Sequence, residues 1–487
     1  MNYLLWALPT LAVVGAVAHG RIGILVASII GVISASIVAL TAAPQPFFIH
    51  DALASIARGA WIGWVVVPYI LGGLLFWQLA IQTGDPDVQT RSVSESARAR
   101  RRLLFAACFL IGPFAESATG FGVGIVGTMV LVRRLGVQPI YLLAFSLLSQ
   151  TLILWGGMSS GILVAAAFAR TDPTRMAVNV GCILAVLNIL WLPIFWRMAD
   201  RAGVAGGWRE RINEVLWLCG SLASVIAATA WFGAEAAMLA TYGPIIVVRY
   251  LLDERPSGRQ IRLAIARLAP VALLIALLVV IRLSPPLRDL LQNAARIQPF
   301  QGAPVWWPLF HAGSWLIVAA ILTAVLRART HTLGTEMAAA WRTGRLAVLT
   351  VITFAMMAEL LSGSGIAGGL ARGLFDGLGR WAVVLTLFIS AIFGALANTG
   401  NAANGLFMAP QISLATDAGL NVEAVIALQH AAALSLNIVS PVRMSIVCAL
   451  AGTPGHERDA YRMMMPFVWV VVAALLVAGL IVVLRVV

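Results

Sequence analysis

The chain has 487 residues, 61% of them hydrophobic and only 11% charged, with a formal net charge of +13. That composition leaves no room for a soluble domain between the apolar stretches and marks a polytopic membrane protein. Every basic residue is Arg and none is Lys, which removes the Walker lysine of an ATPase and any Schiff-base lysine, so transport by this chain would draw on a gradient.

The basic residues sit in short loops, and such an excess reads as topology rather than as nucleic-acid binding. The cysteines Cys108, Cys182, Cys219 and Cys448 are scattered in apolar segments without metal-ligand spacing, so no metal and no cofactor is expected. Residues 1–19 lack a basic n-region and read as a retained first span.

A span needs about 20 apolar residues. On that scale span 1 covers about 3–19, and Arg21 after it puts the N-terminus outside. Span 2 covers 22–43, an outer loop holds His50 and Asp51, and span 3 covers 55–82. Arg91, Arg98 and Arg100 to Arg102 mark the next loop as cytoplasmic.

The apolar stretch 103–132 is then interrupted by Phe114-Ala-Glu-Ser-Ala-Thr-Gly-Phe-Gly122 and closed by Arg133 and Arg134, so basic residues flank both of its ends. It reads as a re-entrant hairpin that enters from the cytoplasm and turns at residues 116–122. Non-helical backbone at that depth is tolerated only inside protein or along a wet cavity, and a carboxylate there is a functional hypothesis by default.

Span 4, 139–168, is long and broken at Gly156 to Gly161, where freed amides and carbonyls suit an ion or an anion. Spans 5 to 8 follow at 176–196, 212–232, 236–252 and 263–283, then an outer segment with an amphipathic piece, and spans 9 and 10 at 305–326 and 346–363. The stretch 381–415 repeats the hairpin pattern around Ala397-Asn-Thr-Gly-Asn-Ala-Ala-Asn-Gly405. Span 11, 421–452, is broken at Asn437 to Arg443, and span 12 covers 463–485.

Each half therefore orders its features as hairpin, short loop, broken span. An odd number of spans separates the hairpins, so the first opens from the cytoplasm and the second from outside. The expected fold is all-α and polytopic: one membrane domain over 1–487, with about 12 transmembrane helices and two re-entrant hairpins in an inverted-topology repeat over 53–196 and 346–485. In such repeats tips and breaks meet near the midplane and make the site. Arg372 and Arg380 fall outside, against the charge rule.

Glu116 is the candidate proton carrier, set against a structural carboxylate bonded to loop amides. Arg443 matches a substrate carboxylate with its planar fork, set against an ion pair with Glu116. Ser117, Thr119, Asn398, Thr399, Asn401 and Asn404 offer hydroxyls and amides suited to a 2-hydroxy acid or to Na⁺, and are equally ordinary at tight turns. Ser159 and Ser160 at the first break, Ser440 at the second, and Gln150 and His430 at matching places are further candidates, with Glu359 a second proton site. His50, His311, His331 and His456 lie in or near loops and carry no assignment.

The motifs Glu116-Ser-Ala-Thr-Gly-Phe-Gly122, Gly400-Asn-Ala-Ala-Asn-Gly-Leu-Phe407 and Ile438-Val-Ser-Pro441 resemble the bacterial L-lactate permease family. That resemblance implies uptake of lactate and glycolate with protons across the bacterial inner membrane, on an elevator-type layout commonly found as a homodimer. The chain departs from the family pattern at Asn437, where a Lys is expected, and at Gly400, where an acidic residue is expected; Arg443 then supplies the displaced positive charge. Another organic or sulfonic anion, or Na⁺ in place of H⁺, stays open. An intramembrane enzyme is disfavoured, because the chain has no HExxH and a single catalytic site has no use for repeated hairpins.

Overall fold

A computed structural model describes residues 2–81, 96–120, 122–151 and 155–484; Arg91 and Phe121 lie outside the described residues, as do 152–154 within span 4. The described chain is helical throughout, its only strand-like feature being an isolated bridge between Ile297 and Trp306. Ten of its helices are long and apolar enough to cross a membrane, and shorter apolar helices such as Tyr3–Ala18 and Ala312–Leu326 accompany them. The protein is a multi-pass membrane protein.

The helices start where the sequence offers caps. Ser96 accepts the Ala99 N–H, Asp172 that of Arg175, and Asn421 that of Ala424, each opening a helix. His50 and Asp51 belong to the first turn of Ile49–Val65 rather than to a loop, because the Asp51 carboxylate accepts the Phe48 N–H at 2.9 Å. Helix Ile366–Leu378, whose apolar residues are confined to one face, is too short and too polar to read as a span and has no counterpart in the hydropathy pattern. Span 9 is helical only from Ala312.

The helices form two packed groups. In one, Leu333–Gly363 lies along Ile49–Val65 through glycines: a Cβ on Gly59 would meet the Met356 Cα at 2.4 Å, and one on Gly63 the Ile352 Cα at 2.6 Å. Gly313 approaches the Pro68 backbone equally closely, which is how membrane helices without a hydrophobic driving force gain contact. In the other group both hairpins and both broken spans pack with Pro173–Arg201 and Glu457–Val483, where the Trp191 indole donates to the Phe467 carbonyl at 3.1 Å.

Contacts between chain ends fix the relative direction of the broken spans. Arg133, which closes the first hairpin, donates to the Leu450 carbonyl at the end of the second broken span. Arg175, just past the first broken span, pairs with Glu423 at the start of the second. The two broken spans therefore run antiparallel. Arg380 donates to the Val483 carbonyl at the end of the last helix, so its place against the charge rule has a local partner.

Candidate functional site

The first hairpin descends through Ala97–Ala106, a π-turn at Ala107–Ile111 and Gly112–Thr119, and returns as Val123–Arg133. Its turn uses the left-handed region at Gly120 and Gly122, with φ of 76° and 80°, which glycine enters at little cost. Glu116, 1% exposed, reaches across that turn. One carboxylate oxygen accepts the Gly122 N–H at 3.0 Å and the other the Gly124 N–H at 2.9 Å. The carboxylate thus caps the positive end of the returning arm.

The first broken span consists of Pro139–Leu147 with a 3₁₀ turn at Leu148–Gln150, then a 3₁₀ turn at Gly157–Ser159 opening Ser160–Ala169. Gly157 lies directly against the first tip, since a Cβ on it would sit 2.4 Å from the Gly120 Cα. The Ser159 hydroxyl donates to the Ala234 carbonyl at 2.7 Å, and that of Ser160 to Gly157 at 2.8 Å.

In the second half, Trp381–Ala397 ends at Asn398 in the left-handed region, and Thr399 caps Gly400–Asp417 by accepting the Asn401 N–H. The second broken span runs as Val422–Ser435, a 3₁₀ turn at Asn437–Val439, and Pro441–Leu450, whose first turn carries Arg443. The Arg443 Nε donates to the Asn398 Oδ1 at 2.9 Å, which ties the second break to the second tip.

Both tips and both breaks line one cavity of about 320 Å³. Of the residues singled out from sequence, Glu116, Thr119, Ser160, Asn398, Thr399, Asn401 and Arg443 face it. Ser117, Ser159, Asn404, His430 and Ser440 are buried but do not line it. Asn404 and His430 instead hydrogen-bond each other at 2.7 Å behind the second tip, and neither Gln150 nor Glu359 reaches the cavity. Glu359 lies 3.9 Å from Arg58.

Glu116 and Arg443 share the cavity without forming an ion pair; each is held by its own partners. Among the described residues, four buried polar atoms lining the cavity have no hydrogen-bond partner: Arg443 Nη1, Asn401 Oδ1, Asn437 Oδ1 and Thr350 Oγ1. Buried polar groups are ordinarily paired, so this cluster is arranged to meet a polar ligand or water.

The opposite wall was not legible as a site. Helix Leu333–Gly363 supplies Thr343, Leu346 and Thr350, and Ile24 and Ile70 complete the wall from the first helix group. Thr343 and Thr350 are seven residues apart and so share a helix face, the one signal that could have marked them. Thr343 stands between Arg342 and Arg345, so the cavity reaches the Arg-rich face of the protein.

Comparison with known proteins adds to this geometry. Residues 304–487 match the L-lactate permease family. Over that stretch the chain is similar to the L-lactate permeases. The L-lactate permease of Escherichia coli K12 is 29% identical over 163 residues, which is 33% of this chain and 28% of that protein. The glycolate permease GlcA of the same organism is 28% identical over 172 residues, 35% of this chain and 30% of that protein. The matched stretch thus spans less than a third of these permeases' own length. The family match takes in the second hairpin and second break, while the first hairpin lies outside it. Among solved structures, Neisseria gonorrhoeae MtrF, described as illuminating a class of antimetabolite efflux pumps, aligns over 94% of each chain at 14% identity with a TM-score of 0.49.

Proposed function

We propose that the protein is a secondary carrier that takes up small 2-hydroxymonocarboxylates of the L-lactate and glycolate type together with protons. The observation that carries this reading is Arg443. Asn398 holds its Nε, and its Nη1 is buried without a partner beside a cavity bounded by both tips and both breaks. A guanidinium anchored on one edge presents the other to a planar carboxylate, which it can grip bidentately. Thr399 and Asn401 at the start of one helix offer a hydroxyl, an amide and a helix N-terminus, and the helix that opens at Ser160 adds a second N-terminus that favours an anion.

The coupling proton is assigned to Glu116. Ionised, it accepts two backbone N–H bonds; protonated, one oxygen becomes a donor and one of those N–H groups loses its partner. Proton binding would then loosen the first tip, giving the carrier a conformational handle on the gradient. Segments 53–196 and 346–485 are read as inverted repeats, with the hairpin-bearing group moving against the other in an elevator-type cycle. The cavity's reach to Thr343, between Arg342 and Arg345, supports reading this conformer as the cytoplasm-facing one.

A sodium-coupled reading has its own support in the unpartnered oxygens of Asn401 and Asn437, since hard cations take oxygen ligands. The deciding experiment is uptake of labelled L-lactate and glycolate into proteoliposomes, with pH and Na⁺ gradients imposed separately. Proton-driven accumulation that vanishes in Arg443→Gln and is poorly restored by Arg443→Lys supports the proposal. Accumulation under the Na⁺ gradient alone reassigns the coupling ion. Entry under neither gradient rejects these substrates.

A further inference from the structure

The cavity is roomier and more apolar than a three-carbon acid requires. We infer that it takes an organic monocarboxylate with a chain longer than that of lactate, its head on Arg443 and its carbons along Leu434, Ile70 and Ile125. The inference rests on the carrier reading and names the substrate class of that same site.

Volume is the first argument. About 320 Å³ corresponds to roughly ten waters at about 30 Å³ each. The six heavy atoms of lactate, each counted at somewhat less than a water, fill roughly half of that space. Placement of the apolar lining is the second. Ile70, Ile125 and Val351 all face the cavity at no more than 6% exposure, so they belong to its floor rather than to an open rim.

Leu434 is the third. A Cβ on Gly400 would sit 2.5 Å from the Leu434 Cδ2, so this leucine lies against the first residue after the second tip. Asn398, which holds Arg443, is only two residues before Gly400. The apolar wall therefore begins beside the anion anchor, where the carbon next to a bound carboxylate would point. Arg443 is the single basic side chain among the described lining residues, and the one lining carboxylate, Glu116, has both oxygens engaged. One negative head with an aliphatic body fits that distribution.

The test is a chain-length series. Labelled L-lactate and labelled 2-hydroxyhexanoate are offered to proteoliposomes containing the full-length protein under a pH gradient. Inhibition constants are measured for 2-hydroxy acids of two to six carbons. The expected result is uptake of both labels, with apparent affinity rising two- to fourfold per added methylene beyond lactate. Leu434→Ala should narrow the hexanoate-to-lactate affinity ratio by about tenfold, because it removes part of the wall that only the longer chain touches. A site moulded to lactate gives the opposite sign, with affinity falling tenfold or more per methylene, and that result overturns the inference while leaving the carrier reading in place. Equal losses for both acids in Leu434→Ala also count against it. If neither label enters and no acid in the series competes, the carrier reading falls and takes this inference with it.

Discussion

Replacing Glu116 by Gln is the most informative single change, because it keeps the shape of the first tip and removes only charge and one acceptor. The two carboxylate oxygens accept the Gly122 and Gly124 N–H groups at 3.0 and 2.9 Å. Gln can satisfy one of them through its carbonyl oxygen and must turn its NH₂ toward the other, leaving two donors face to face. The lost charge-assisted bond is worth about 1.5–3 kcal/mol, and the lost charge at the N-terminus of Val123–Arg133 about 0.3–1 kcal/mol more. Summed, the tip should lose roughly 2–4 kcal/mol of local stability, which speeds opening by about 30-fold or more at 1.36 kcal/mol per factor of ten. Hydrogen exchange followed by mass spectrometry reads this at the amides of Gly122 and Gly124. Glu359→Gln, remote from the tip, serves as control and should leave the same amides unchanged. Unaltered protection of the tip in Glu116→Gln would refute the clamp.

Two further changes address the frame around the site. Arg101, fully buried, grips both oxygens of Glu214 at 2.6 and 3.0 Å, and the Trp196 indole donates to the same carboxylate; Glu214→Ala leaves that arginine the Val204 carbonyl at 2.9 Å and the Asp200 carboxylate at 3.8 Å and should cost about 3 kcal/mol, read as a lower unfolding temperature in detergent without a change in substrate preference. Gly157→Ala forces a methyl to within 2.4 Å of the Gly120 Cα, so it should lose about 1–3 kcal/mol or more by overpacking together with most transport, whereas Gly127→Ala, with open space around its Cβ position, should be neutral in both assays.

How far the site could be read from sequence depended on what kind of signal each residue left. The tips and breaks declared themselves because Glu116, Gly156 and Asn398 are costly in an apolar run unless something answers them. The resemblance at Gly400–Phe407 falls in the stretch that matches the L-lactate permeases. The partners were invisible for the complementary reason: Leu434, Ile70 and Leu346 are ordinary span residues, and only the packing of one helix group against the other turns them toward a cavity. His430 shows the limit from the other side. It is polar, deep and close to the second break, yet its Nδ1 meets Asn404 behind the tip and the ring does not line the cavity, and no spacing rule separates a residue facing a cavity from one facing the next helix. The same holds for Ser159, whose hydroxyl is committed to the Ala234 carbonyl.

That Glu116 and Arg443 line one cavity without pairing has a consequence for coupling. A cavity of 320 Å³ has an equivalent sphere about 8.5 Å across. With the two groups at opposite sides of the cavity, a substrate carboxylate on Arg443 would face the Glu116 carboxylate over roughly that distance. At an effective dielectric of about 20, two unit charges so placed repel by roughly 2 kcal/mol, or about 25-fold in an equilibrium constant. Protonating Glu116 removes the repulsion, so the anion binds more tightly once the proton is on, and linkage requires the proton to gain by the same factor when the anion is bound. On the proposed symport reading, proton and anion would then load together and leave together. The corresponding measurement is the apparent affinity for lactate of wild type and of Glu116→Gln at one fixed pH, the same on both sides of the membrane. Glu116→Gln, already uncharged, should bind lactate up to about 25-fold more tightly than wild type with Glu116 ionised. An affinity unchanged by Glu116→Gln would place the coupling proton on another group.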